Sequence, residues 1–177
     1  MNPFRSIINL SVAIVVLFIA GCNKDDGNGG DQNSNTNTNT TTDGGEGFCG
    51  TVSANEVSSV LGIADLLPPE KTVVSSQTTC DYAINGKVSG VTLSYNTGMD
   101  REDFDDERTR SDSLYASVDT RDVTGVGDAA YSLSLSEGTS FETNSLWVLT
   151  GSLRFMIVSS ASIDKEKQLA ALIVSKL

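Results

Sequence analysis

Apolar side chains follow one another closely from Ile7 to Ala20, vanish from Asn23 to Gly47, and return from Phe48 onwards in short periodic groups. The first element of that third region is marked at both ends. Ser53 with Glu56 three residues on forms a capping box, Val52 and Val57 supply the hydrophobic staple around it, and Val57, Val60 and Leu61 make one apolar stripe that Gly62 can close in a left-handed cap. A helix over 54–61 is predicted. Pro68 and Pro69 then bar helix and lead into an extended Thr72-Val73-Val74. From Thr79 the period changes to two, with Cys80, Tyr82 and Ile84 on one face, and Asn85-Gly86 is a strong hairpin signal. With those two residues as the loop, Tyr82 faces Ser89, Cys80 faces Val91, and the apolar set continues through Leu93 and Tyr95.

The stretch from Asp100 to Asp112 holds seven acids and three arginines. It lacks the glycine and the alternating ligand spacing of a calcium loop. It reads as a solvated helix with Asp100 as N-cap, acids in the first turn, an Asp106–Arg110 pair, and Phe104, Leu114 and Tyr115 as its core contacts. Gly125 to Ala130 formally matches a dinucleotide fingerprint, but Tyr131, Leu133 and Leu135 alternate with serines after it, so the glycines make a turn into a strand. A last hairpin pairs Leu146–Thr150 with Leu153–Ser159 about Gly151-Ser152. One face carries Leu146, Val148, Leu153, Phe155 and Ile157, and the other Trp147, Leu149, Arg154, Met156 and Val158. Apolar residues on both faces mark a central hairpin, covered on both sides or covered on one and lining a ligand groove on the other. A final helix over 163–176 has Ile163, Leu169, Ala170, Leu172, Ile173 and Leu177 as its apolar set and is expected to cover the Trp147 face.

These elements make an α+β domain over residues 48–177, an antiparallel sheet of about six strands with helices packed on it. Its two halves read alike, helix, strand, hairpin, helix and then strand, hairpin, helix. That layout would fit an internal duplication, although sequence identity does not carry it. The 130 residues suffice for one core.

The segment 1–21 has a basic start at Arg5 and an apolar run shorter than a membrane span, ending in small residues, which is the pattern of an export signal. Ile19-Ala20-Gly21-Cys22 resembles a bacterial lipobox. The resemblance implies that Cys22 becomes the acylated first residue of the mature chain, anchored in a lipid bilayer. Residues 22–47 follow as a tether, with six Asn, five Thr, six Gly and four Asp and nothing to bury, and a coil of that length reaches roughly 25–30 Å. Asn23 is not the Asp that retains enterobacterial lipoproteins at the inner membrane, and Lys24-Asp25-Asp26 resembles a Bacteroidetes surface-export signal. Both favour an outer-membrane or cell-surface address.

In an exported domain, Cys49 and Cys80 are expected to form a disulfide closing a loop of about 30 residues, with on the order of 3–4 kcal/mol of stabilisation. A metal pair is the rival, but two cysteines without histidine fall short of a zinc site. No cofactor motif and no metal set stand out. Within 48–177, 18 acids face 10 bases, a surface unsuited to nucleic acid or to anionic lipid.

Phe48-Cys49, the run Ser53 to Gly62, Cys80-Asp81-Tyr82, Gly125 to Tyr131 and the closing helix together resemble small bacterial lipoproteins of unknown function, frequent in actinobacteria. The resemblance implies an extracytoplasmic α+β domain with the two cysteines joined, and it brings no catalytic residues. The Asn/Thr-rich tether departs from that family's small-residue linkers. The expected function is a non-catalytic binding or interaction module for an envelope ligand or protein, with Trp147, Leu149, Arg154, Met156 and Val158 as the candidate groove. The alternative is a cell-envelope hydrolase or transferase with a serine nucleophile. Its one motif is Ser162 to Lys165, which lacks companion motifs and whose serine is better explained as a helix cap.

Overall fold

The capping box at the start of the domain closes as its residues dictate. Ser53 Oγ accepts the Glu56 N–H at 3.3 Å, the Glu56 carboxylate accepts the Ser53 N–H at 2.9 Å, and Gly62 stops the helix at φ 71°. The computed structural model describes residues 39–41, 47–85, 90–114, 120–135 and 142–177, all within one compact unit, Thr36–Leu177. The segment 1–21 expected to be an export signal, Cys22 and Lys24-Asp25-Asp26 lie outside the described residues.

In chain order the elements are β1 (Asn39–Thr41), a 3-10 turn (Phe48–Gly50), α1 (Ala54–Leu61), β2 (Glu70–Val74), β3 (Gln77–Tyr82), β4 (Val91–Thr97) and α2 (Arg101–Leu114). There follow β5 (Thr120–Asp122), β6 (Ala129–Leu135), β7 (Thr143–Thr150), β8 (Leu153–Ser159) and α3 (Ile163–Val174). The strands form one antiparallel sheet in the order β1-β2-β3-β4-β8-β7-β6-β5. The α+β class is as read, with β5 as the strand the pattern missed. Three residues, two of them charged, are too few to show alternation. Asn39–Thr41 lies inside the segment expected to be tether throughout, and it is strand paired to β2.

Directly opposed residues of antiparallel strands share a face. On the first face Cys80, Leu93, Ile157 and Leu146 stand in one row, with Val148 and Phe155 beside them. Val57 and Leu61 of α1 and Leu169, Ala170 and Ile173 of α3 close over that row, all at 2 % exposure or less. Cys49 and Cys80 are joined, with Cα atoms 5.5 Å apart, which ties the turn before α1 to β3. Phe48 then packs on Tyr95, ring centroids 4.4 Å apart, and the Tyr82 hydroxyl donates to the Val52 carbonyl at 2.9 Å.

Four details differ from the pattern. Cys80 faces Leu93 rather than Val91, a slip of two residues across a loop whose residues 86–89 lie outside the described set. An even slip keeps every side chain on its face, so the core set survives it. Leu114 at the end of α2 is 71 % exposed, and Leu177, three residues past the end of α3, is 59 % exposed; Tyr115 lies outside the described residues. Finally, α3 packs on the first face and α2 on the second. The two meanders β2-β3-β4 and β6-β7-β8 do mirror each other across the β4–β8 pair, but a two-fold axis through that pair would leave both helices on one face, so the helices break the duplication.

Gly125 to Ala130 turns into β6 as expected, with Gly125 at φ 81° and Gly127 at φ 57°. A Cβ on Gly127 would meet the Leu149 carbonyl and the Val148 side chain well inside contact distance. Gly127→Ala is therefore expected to cost about 2–3 kcal/mol in urea unfolding, from the left-handed backbone and the pressure on β7 together. A loss under about 0.5 kcal/mol would mean that the loop relaxes freely.

Candidate functional site

The second face is built from three rows of side chains. Thr79, Ser94, Met156, Trp147 and Tyr131 follow one another across β3, β4, β8, β7 and β6. Asn96, Arg154, Leu149 and Ala129 form the row on one side of it, and Asp81, Thr92, Val158, Ser145 and Leu133 the row on the other. The face is thus mainly apolar over β6 to β8, with Arg154 and Ser145 among the apolar residues, and polar over β3 and β4. Thr79 Oγ1 and Ser94 Oγ lie 3.2 Å apart, and Thr92 Oγ1 donates to Asp81 at 2.7 Å.

Only α2 covers this face among the described elements, and Phe104 is its one buried residue. The Phe104 ring packs on Tyr131 at 5.2 Å, with Leu149, Met99 and Ala129 around it, and Tyr131 stacks on Trp147 at 5.0 Å. Asp100 caps the helix as read, its Oδ1 accepting the Asp103 N–H at 2.9 Å. The i,i+4 ion pair seen in the helix is Arg101–Asp105 at 2.9 Å.

All five residues read as a groove do share this face, but α2 divides them. Leu149 and Arg154 are each 2 % exposed, whereas Trp147, Met156 and Val158 are half-buried. Arg154 therefore does not stand at an open edge awaiting an anion. Its guanidinium is paired with Glu107 of α2, because an arginine taken out of water needs a carboxylate there. Burial pushes the Glu107 pKa up, against the pull of Arg154 and Arg110. Glu107 Oε2, Arg154 Nε and Asn96 Oδ1 are buried there without a hydrogen-bond partner. Burial also raises the Tyr131 phenol, helped by the Glu107 charge. Glu107 and Tyr131 were not foreseen at the site, since a glutamate in an acidic helix carries no mark of the face it will meet.

A cleft of about 420 Å³ opens between the first turns of α2 and the Gly125 loop. Its arginines are committed, Arg101 to Asp105 and Arg108 to Asp122 at 3.0 Å. Asp128 in the same wall accepts the Gly151 N–H at 2.7 Å and so holds the β7–β8 turn. The serine and lysine of the one nucleophile-like motif sit at the start of α3. Lys165 Nζ donates to the Leu61 carbonyl at 2.9 Å, capping α1 from α3, while Ser162 sits at the N-cap of α3 with no cap bond from its hydroxyl. Among the described residues no group of three or more His, Cys, Asp or Glu is placed to hold a metal.

These observations define an antiparallel α+β domain with helices α1 and α3 packed on one sheet face and, among the described elements, the acidic helix α2 on the other. No family model matches the chain, and neither a curated protein nor a solved structure does.

Proposed function

We propose that the chain is a lipid-anchored protein of the bacterial cell envelope, held in the bilayer through acylated Cys22, whose folded domain is a non-catalytic binding module. The observation that carries the binding reading is the half-buried strip of Trp147, Met156 and Val158 on central strands, where side chains are ordinarily sealed into core. Its neighbours Thr79 and Thr92 are part-exposed and polar, so the strip suits an amphipathic ligand with its apolar side on Trp147 and its polar side on the threonines. The Cys49–Cys80 disulfide supports an oxidising compartment. The motifs quoted above support a place beside the actinobacterial-type lipoproteins, and Asn23 with Lys24-Asp25-Asp26 supports the outer membrane or cell surface.

Cys22→Ser is expected to abolish fatty-acid labelling and leave an unprocessed precursor; labelling that persists refutes the anchor. For the binding face, Trp147 is the single tryptophan, so its emission reports the strip directly. It is expected to be quenched by acrylamide and to shift with one or more of the lipids, glycans and envelope fractions screened. A blue-shifted emission that neither quencher nor any fraction alters would end this reading.

A further inference from the structure

The two edges of the sheet are finished differently. β5 is three residues long, and its Asp122 is held by Arg108, a short charged edge of the kind that discourages strand addition. At the other side the edge strand is the three-residue β1, and β2 beside it is longer, with Val73 and Val74 exposed on opposite faces at 37 % and 51 %, and Leu67 exposed at 43 % in the segment that leads into it. Beside the start of β2 lies an apolar cleft of about 380 Å³ lined by Leu66, Pro68, Pro69, Val52 and Cys49.

What lies along β2 is β1, by three opposed pairs only, Asn39 with Val73, Thr40 with Thr72 and Thr41 with Lys71. Its sequence context makes it a weak occupant. It is three residues long, and all three are polar. It contains no apolar residue with which to cover Val73, Val74 or Leu67. The edge accepts an antiparallel strand, and the strand on it leaves its apolar surface unmatched.

We propose that the β2 edge is a strand-acceptor site, on which an extended segment of a partner protein with alternating apolar side chains adds antiparallel to β2 in place of Asn39–Thr41. Main-chain hydrogen bonds supply the affinity in such additions, and side-chain pockets supply the choice of partner. The antiparallel direction carries the partner chain from Val73 towards Glu70, and so towards the apolar cleft at Pro68 and Pro69, which takes its anchoring side chain. With 18 acids against 10 bases in the domain, basic residues flanking the partner strand are favoured.

The test uses the full lipidated chain in detergent and, as probe, a nine-residue peptide of alternating Val and Thr with a Lys at each end. Amide signals of Glu70–Val74 are expected to shift on saturation, with Trp147 emission unchanged. Val74→Lys, at an exposed position that leaves the fold intact, is expected to weaken binding at least tenfold. Thr40→Cys with Thr72→Cys, oxidised to pin β1 in place, is expected to weaken it as much. Equal binding by the Val74→Lys chain, shifts confined to the Trp147 face, or no binding at all would overturn the proposal. So would a dimer that Val74→Lys dissociates, since the occupant would then be a second copy. Should the pinned chain fail to fold, the Val74→Lys arm decides alone.

Discussion

Glu166→Gln is expected to flatten the dependence of stability on pH between about 5 and 8, and to leave the variant more stable than the parent by on the order of 3 kcal/mol near neutrality. Glu166 lies in the first turn of α3 and is fully buried in the first-face core. Ser159 Oγ donates to its Oε1 at 2.7 Å while accepting the Ala161 N–H at 3.0 Å, and Oε2 has no partner. Burial pushes its pKa from 4.5 up to about 8, with the Ser159 bonds pulling the other way. The native state thus keeps a proton that the unfolded chain gives up above about 4.5. Stability is full below that pH, falls as pH rises through the window, and levels off above about 8. The chain has no histidine, so no ordinary imidazole titration overlaps this window. Urea midpoints of parent and variant at pH 5 and pH 8 check this. An equal displacement at both pH values would mean that the substitution changed packing and that ionisation was not involved.

Arg154→Ala is expected to cost about 3 kcal/mol or more, because Glu107 would be left in a mostly buried site without its guanidinium. The paired replacement Arg154→Met with Glu107→Met is expected to recover most of that loss, since apolar side chains of similar volume suit a face already lined by Leu149 and Tyr131. The pair would then serve to seat α2 in one position and add little net stability. A double variant no more stable than Arg154→Ala would refute that account. An unchanged Trp147 emission in the double variant would in addition show that α2 still lies where Phe104 puts it.

What could be read from the sequence divides along a physical line. α1 was legible to the residue because its capping box, staple and glycine cap are local chemistry. The β7–β8 hairpin was legible in register because Gly151-Ser152 forces it and because both apolar sets agree. The β3–β4 register was off by two, since hairpin signal and apolar alternation are satisfied equally by either loop length. Which helix covers which face was not legible at all. The β4–β8 pairing joins segments about 60 residues apart, and nothing in either strand names its neighbour. Glu166 and Arg154 were hidden for a related reason. A charged residue in a helix or strand pattern reads as solvated, and its burial is decided by side chains contributed from elsewhere.

The Cys49–Cys80 bond has a mechanical consequence. Tension arriving along the N-terminal segment first peels β1 from β2 and then reaches Cys49, where the covalent link hands it directly to β3. α1 and β2 lie inside the closed loop and bear none of the load. The chain's grip on its folded body is therefore set by the β3–β4 ladder, five opposed pairs pulled from Cys80, and not by α1. Reduction would move the point of purchase to α1 and release about 100 Å of extensible chain from the 31-residue separation.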